Sequence, residues 1–277
     1  MNYLQLDFEI SDNQSSDMLM ALLAQSGFES FEEETGSLKA YIREEDFDEV
    51  KLAAIIKIIP AKFTKTVIPQ ENWNAQWESS FEPILVNDFA HSAPWVAIRA
   101  GFHQPVKNAK HEIIITPKMS FGTGHHATTY LMINQMSHLI FAGKSVLDFG
   151  TGTGILSILA EKMEATDIYA IDNDEWSIEN TKENITSNDC SKIKVHKGDT
   201  IPGGDKYDII LANINLNVIM QSLPAIAVAS KTGTLILLSG FLEKDIEELS
   251  AALHTCLITI NQIEAKDGWV CLLCKKD

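Results

Sequence analysis

Residues 144–163 read KSVLDFGTGTGILSILAEKM, and this stretch decides the fold. A buried-type apolar run from Ser145 to Asp148 leads into Gly150, Gly152 and Gly154. Ile155, Leu156, Ile158 and Leu159 then follow at helical spacing. The pattern is strand, glycine loop, helix. Glycine has no Cβ, so the backbone turns sharply and a ligand can come close, while the helix N-terminus behind the loop offers free N–H groups. About 20 residues further on, the run DIYAID closes on Asp172, where a carboxylate accepts both hydroxyls of a ribose. The two features together predict a nucleoside crevice.

The glycine spacing separates the candidate nucleosides. A dinucleotide fingerprint is G-x-G-x-x-G, whose helix end faces a pyrophosphate. Here the spacing is D-x-G-x-G-x-G, with Asp148 before the first glycine. A carboxylate beside the loop suits an ammonium better than a diphosphate. S-adenosylmethionine carries an ammonium, a carboxylate and a sulfonium and no phosphate, so it is the expected cofactor, with Asp148, Gly150, Gly152 and Asp172 around it.

Working outward, apolar runs alternate with helical segments from about residue 91: HEIIIT, KSVLDFG, DIYAID, KVHKGD, YDIILAN and TLILLSG. Such alternation predicts a mostly parallel sheet of seven strands buried on both faces. The last runs, ITINQIEA and GWVCLLCKK, meet at Asp267-Gly268 with no helix between them, and predict a terminal antiparallel hairpin. Asn213 ends YDIILAN, at the rim where such folds build their sites. Its carbonyl can accept a bond from an amine or the cofactor, or it can cap the next helix.

Residues 1–69 read as a separate βαββαβ unit, a ferredoxin-like α+β domain. YLQLDFEI alternates as a strand, and Met18, Leu19, Leu22 and Leu23 form a helical stripe. ESFEEE and SLKAYIRE are two strands. Leu52, Ile55, Ile56 and Ile59 mark a second helix, stopped by Pro60, and KFTKTVIP is the fourth strand. Residues 70–90 are expected to be a helical linker, with Trp73, Trp77 and Phe81 on one face. Residues 91–277 are the catalytic domain.

FGTG also occurs at Phe121 to Gly124, in TPKMSFGTGHHATTYLMI. No longer repeat accompanies it, so the two copies are read as unrelated loops on opposite sides of one ligand. Thr128 and Thr129 open an amphipathic helix that buries Leu131, Met132 and Met136. His125 and His126 are polar loop residues, or groups able to take a proton. No third and fourth ligand accompany them, so no metal site is expected. Cys271 and Cys274 lack a partner pair and read as strand packing.

The formal net charge of −16 argues against broad binding to nucleic acid phosphates. No apolar run approaches the ~20 residues of a membrane helix. The first residues do not read as a secretion signal, and four cysteines without a disulfide spacing suggest a cytoplasmic protein.

FGTGHHATT, VLDFGTGTGIL, IDNDEWSIENTKEN and LANINLNVI, with NWNAQWESSFEPI upstream, resemble the bacterial ribosomal protein L11 methyltransferase family, a class I S-adenosylmethionine-dependent family. The resemblance covers nearly the whole chain and is weakest over the first 70 residues. It implies a Rossmann-like catalytic domain behind a substrate-recognising ferredoxin-like domain. It also implies methylation of lysine ε-amines and the N-terminal α-amine of ribosomal protein L11. Matching motifs carry cofactor contacts onto Thr129, Gly150, Asp172 and Asn213. Asn213, His126 and His125 are the candidates for handling the amine. Related amino-methylating enzymes carry Asn-Pro-Pro-aromatic where this chain has Asn-Ile-Asn-Leu, so the stacking partner for a planar acceptor is missing. A monomer is expected. The rival expectations are a methyltransferase for another protein, a small molecule or RNA, a nicotinamide oxidoreductase, and a cofactor-holding scaffold without catalysis.

Overall fold

The computed structural model describes residues 2–10, 12–34, 36–68, 82–87, 94–117, 122 and 124–277. Contacts divide the chain into two compact units, Met1–Ser80 and Phe81–Asp277. Trp73, Trp77 and Phe81, expected on a linker helix, lie outside the described residues.

In the first unit, β1 (Tyr3–Glu9), α1 (Asn13–Gln25), β2 (Ser30–Glu34), β3 (Ser37–Arg43), α2 (Glu49–Ile58) and β4 (Lys62–Ile68) follow in βαββαβ order. The antiparallel sheet runs β2-β3-β1-β4, the ferredoxin-like arrangement. Alternation puts Leu4, Leu6 and Phe8 on the helix side, where they meet Leu19, Leu23, Leu52 and Ile55. Asp12 caps α1 by accepting the Ser15 amide, and Asp48 caps α2 through the amides of Val50 and Lys51. Met18, expected in the buried stripe, is exposed, because α1 turns Leu19 and Leu23 inward instead.

The second unit opens with a three-stranded sheet, β5 (Ile84–Asn87), β6 (Pro94–Arg99) and β7 (His111–Ile114). Two expectations change here. Residues 84–87 were assigned to the helical linker, but they pair antiparallel with β6. HEIIIT was assigned to the main sheet, but β7 pairs parallel with β6 in this separate one. Then come α3 (Ala127–Ser137), β8 (Ser145–Phe149), α4 (Ile155–Lys162), β9 (Asp167–Asp172), α5 (Glu175–Ser187), β10 (Ile193–Lys197) and β11 (Tyr207–Asn213). α6 (Leu216–Ala229), β12 (Ser230–Leu242), α7 (Ile246–Thr255), β13 (Ile258–Lys266) and β14 (Trp269–Lys276) complete it.

Seven strands form one sheet in the order β10-β9-β8-β11-β12-β14-β13. Only β14 runs against its neighbours, as the expected terminal hairpin. Both faces are covered. Val146, Leu211 and Leu237 face α3 and α4, while Leu147, Ile210 and Ile236 face α6 and α7. Each central strand is therefore apolar on both sides, which explains runs such as YDIILA. Truncating a fully buried member such as Ile158 or Leu211 to alanine costs about 2–5 kcal/mol.

Cys271 and Cys274 fall in the two different core clusters, on opposite sheet faces. Burial pushes the Cys274 thiol up to about 12 and the Cys271 thiol well above its ordinary range. Neither is a poised ligand or nucleophile. Among the described residues, no His, Cys, Asp or Glu group suits a metal ion, and no helix is long and apolar enough to cross a membrane.

Candidate active site

The chain leaves β8 at its carboxyl end and turns back over the sheet. The amides of Gly150 and Thr151 both donate to the Ile171 carbonyl, at 2.8 and 3.0 Å. This fixes the glycine loop to the end of β9. Gly154, at φ 80°, caps α4 with no side chain of its own, and a Cβ there would sit 2.9 Å from Thr181. Thr181 donates its hydroxyl to the Gly152 carbonyl at 2.7 Å. The loop is thus held from α5 as well as from β9.

Asp172 lies half-buried beside the loop. One carboxylate oxygen accepts the Gly152 amide at 2.9 Å and the other accepts the Asp174 amide at 3.0 Å. An ionised carboxylate has about four acceptor sites, so about two stay available to a ligand. Asp148 behaves differently. It is only 1% exposed and is not in the wall of the cleft. Its Oδ2 accepts the Thr151 and Ser157 hydroxyls at 2.8 and 2.6 Å, and Oδ1 has no hydrogen-bond partner. Burial raises its pKa to about 6, against the pull of those hydroxyls. The expected contact between Asp148 and a ligand ammonium is therefore replaced by an internal support for the loop.

A cleft of about 750 Å³ opens over the carboxyl ends of β8, β9 and β11. Gly150, Gly152 and Asp172 line one part of it. Gly198, Asp199 and Thr200, just past β10, line another. Asn213, Ile214, His126, Thr128 and Trp269 close the far end, and Gln221 and Ser222 of α6 form a side wall. Asn213 is buried, with its Oδ1 unpartnered and its Nδ2 3.4 Å from the Thr129 hydroxyl, which is a weak bond at that length.

Two glycines set the position of Ile214. A Cβ on Gly150 would collide with the Ile214 side chain, and a Cβ on Gly240 would collide with the Ile214 backbone carbonyl. Both glycines have positive φ, 78° and 102°. Ile214 therefore lies clamped between the glycine loop and the end of β12.

The structure brings Asp172, Gly150, Gly152, Asn213 and His126 to one cleft. Thr128 and Thr129 are both fully buried; Thr128 lines the cleft, and the Thr129 hydroxyl lies 3.4 Å from Nδ2 of Asn213, which lines it too. His125 is exposed and is not part of the wall. His126 caps α3, its Nδ1 accepting the Thr128 amide at 3.3 Å, and its ring stands edge-on to Trp269 with centroids 4.7 Å apart. The same Nδ1 lies 2.8 Å from the Thr128 hydroxyl, and the ring tautomer sets which of the two atoms donates. Trp269, Asp199, Ile214 and Gly240 were not singled out from the sequence. Asp199 and Gly240 end the strand-like runs KVHKGD and TLILLSG, which is the position that marks a rim residue.

The cleft fits S-adenosylmethionine on its own chemistry. Its described wall contains the carboxylates Asp172 and Asp199 and no Lys or Arg, so a diphosphate would meet only like charge. An ammonium, a sulfonium and a diol instead find acceptors there, with Asn213 Oδ1 still unpaired. This crevice on a doubly wound sheet with one reversed strand defines a class I S-adenosylmethionine-dependent methyltransferase.

Residues 8–277 match the family model described as ribosomal protein L11 methyltransferase (PrmA). The L11 methyltransferase of Porphyromonas gingivalis is 36% identical over 98% of this chain and 97% of its own length. That of Chlorobaculum tepidum is 37% identical, over 98% and 96%. A crystal structure of ribosomal protein L11 methylase from Lactobacillus delbrueckii subsp. bulgaricus superposes with a TM-score of 0.64 at 24% identity, over 71% of this chain and 100% of that one. The chain belongs to the ribosomal protein L11 methyltransferase family.

Proposed function

We propose that the protein transfers methyl groups from S-adenosylmethionine to lysine ε-amines and the N-terminal α-amine of ribosomal protein L11. The observation that carries this reading is the far end of the cleft. There Asn213 lines the cleft together with Trp269 and His126, and its buried amide oxygen has no hydrogen-bond partner. Asp172 accepts the ribose hydroxyls, and the Gly150–Gly154 loop takes the amino-acid end.

Bound S-adenosylmethionine supplies a methyl group already activated by its sulfonium. The protein's work is placement and exclusion of water. Asn213 Oδ1 accepts an N–H of the incoming amine and aims its lone pair into the cleft. Trp269, Ile214 and His126 keep water from that end. A free lysine has a pKa of ~10.4, and desolvation lowers it, so the amine reaches its neutral, nucleophilic form without a dedicated base. Orientation of this kind supplies roughly 7–11 kcal/mol in favourable cases.

The acidic first unit, 13 Asp and Glu against 6 Lys and Arg over residues 1–69, is assigned to recognition of the lysine-rich substrate. Exposed Glu44, Glu45 and Asp46 lie on it. We place the protein in the cytoplasm as a monomer, consistent with four free cysteines. Incubation with methyl-labelled cofactor and separated ribosomal proteins and RNA tests the reading. Label on L11 supports it, and label on RNA or a different protein alone contradicts it.

A further inference from the structure

Three buried asparagines lie four residues apart, Asn180 and Asn184 on α5 and Asn188 as its C-cap. Four residues of helix rise about 6 Å and two residues of strand about 6.6 Å, so this spacing matches alternate residues of an extended segment. The match is used. Asn188 accepts the Ile114 amide at 2.9 Å and donates to the Ile114 carbonyl at 2.6 Å. Asn184 accepts the Thr116 amide at 2.8 Å, and Asn180 donates to the Thr116 carbonyl at 3.2 Å. The helix therefore satisfies the edge of the segment after β7 as a neighbouring strand would.

The Asn184 amide donates to Asn180 Oδ1 at 2.8 Å and also to the Thr153 carbonyl at 2.8 Å, in the glycine loop. The Thr153 hydroxyl in turn donates to the Gly122 carbonyl at 2.6 Å. Gly122 has φ 104°, and a Cβ there would press to 2.9 Å on that same hydroxyl. Thr116 and Gly122, which precede His126 and Thr128 in sequence, are thus each tied to the second glycine loop. Both ties run through Thr153, which is fully buried.

We propose that Thr153 and Asn184 are positioning residues that, through Gly122 and Thr116, register the acceptor-side wall residues His126 and Thr128 against the cofactor loop. This deepens the methyltransferase reading and rests on it for the assignment of the two sides. The hydroxyl of Thr153 sets the wall, while the loop itself is retained by Asp172, Thr181 and Asn184. Removing that hydroxyl separates turnover from cofactor affinity.

The test compares wild type, Thr153→Val, Thr153→Ser and Asn188→Ala, with Thr153→Ala in place of the valine variant should that one not fold. Hydrogen exchange of residues 122–132, calorimetric binding of S-adenosylhomocysteine, melting temperature and kcat are read together. Thr153→Val raises exchange in 122–132 and lowers kcat, each about tenfold, while affinity stays within about threefold; this is the scale of one buried hydrogen bond. Thr153→Ser restores both. Asn188→Ala, which loses only the Ile114 tie, lowers the melting temperature and leaves exchange in 122–132 and kcat near wild type. Unchanged exchange in Thr153→Val, no recovery in Thr153→Ser, or an equal kcat loss in Asn188→Ala overturns the proposal. A wild-type protein that binds S-adenosylhomocysteine but does not methylate L11 contradicts the functional reading instead, and the exchange comparison still decides the coupling.

Discussion

Asp172 accepts the backbone amide of Gly152 at 2.9 Å, so the carboxylate at the end of the second core strand fixes the loop beside the cleft that it faces. The side chain shapes the loop, and the proposed function gives it a second duty as acceptor for a diol. Asp172→Ala is expected to weaken S-adenosylhomocysteine binding about a hundredfold, the loss of two or more hydrogen bonds to a charged acceptor. Turnover at saturating cofactor should fall far less. Calorimetry and saturation kinetics check this, and an affinity equal to wild type would contradict it.

Gly150 and Gly240 both press on Ile214, but on different atoms. Gly150→Ala meets the Ile214 side chain, and Gly240→Ala meets its backbone. Each should lower kcat/KM. Adding Ile214→Ala should recover part of the loss for Gly150→Ala and none for Gly240→Ala. Equal recovery in both double variants would show that the clamp is not steric in this way.

Asn213→Ala should lower kcat about tenfold to a hundredfold with little change in cofactor affinity, because it removes an acceptor placed for the amine. His126→Asn should keep the helix cap and most of the turnover, since the ring's Nδ1 is engaged with the Thr128 amide and hydroxyl at the start of the helix. The pH–rate profile of His126→Asn distinguishes the roles. If the acid limb disappears, His126 is a base after all.

Asp148 gives a pH signature. Its folded pKa lies near 6, above the ordinary 3.8. Below about pH 4 both folded and unfolded forms hold the proton. Between about 4 and 6 the folded form alone holds it, so stability falls as pH rises, and above 6 the loss is constant. Asp148→Asn lacks this loss. The melting temperature of Asp148→Asn relative to wild type should therefore climb from pH 4 to 6 and level off above. A flat difference across that range would place Asp148 in a more polar setting than its burial implies.

Much of the fold is legible in the residues because the strong signals are local. KSVLDFGTGTGIL announces its own strand, loop and helix, and Asp267-Gly268 marks the hairpin through two positive-φ positions. The separate sheet was not legible. PWVAIR is buried at nearly every position and so shows no alternation, and HEIIIT reads as a core strand whichever sheet it joins. At the site, the rim position of Asn213 follows from its strand end. Thr128 and Thr129 cannot be told apart without the phase of α3. The asparagines of α5 look like an exposed polar face in the sequence, and their burial comes from a segment about 70 residues away in the chain. Trp269 reaches the cleft only because β14 runs antiparallel beside β12.

The central claim is that this cleft receives an adenosine bearing an amino-acid tail and not a diphosphate. Titration of the wild-type protein with S-adenosylhomocysteine and, separately, with a nicotinamide dinucleotide tests it most directly. Saturable heat from the first and none from the second is the expected result. Tight binding of the dinucleotide, with none of S-adenosylhomocysteine, would contradict it.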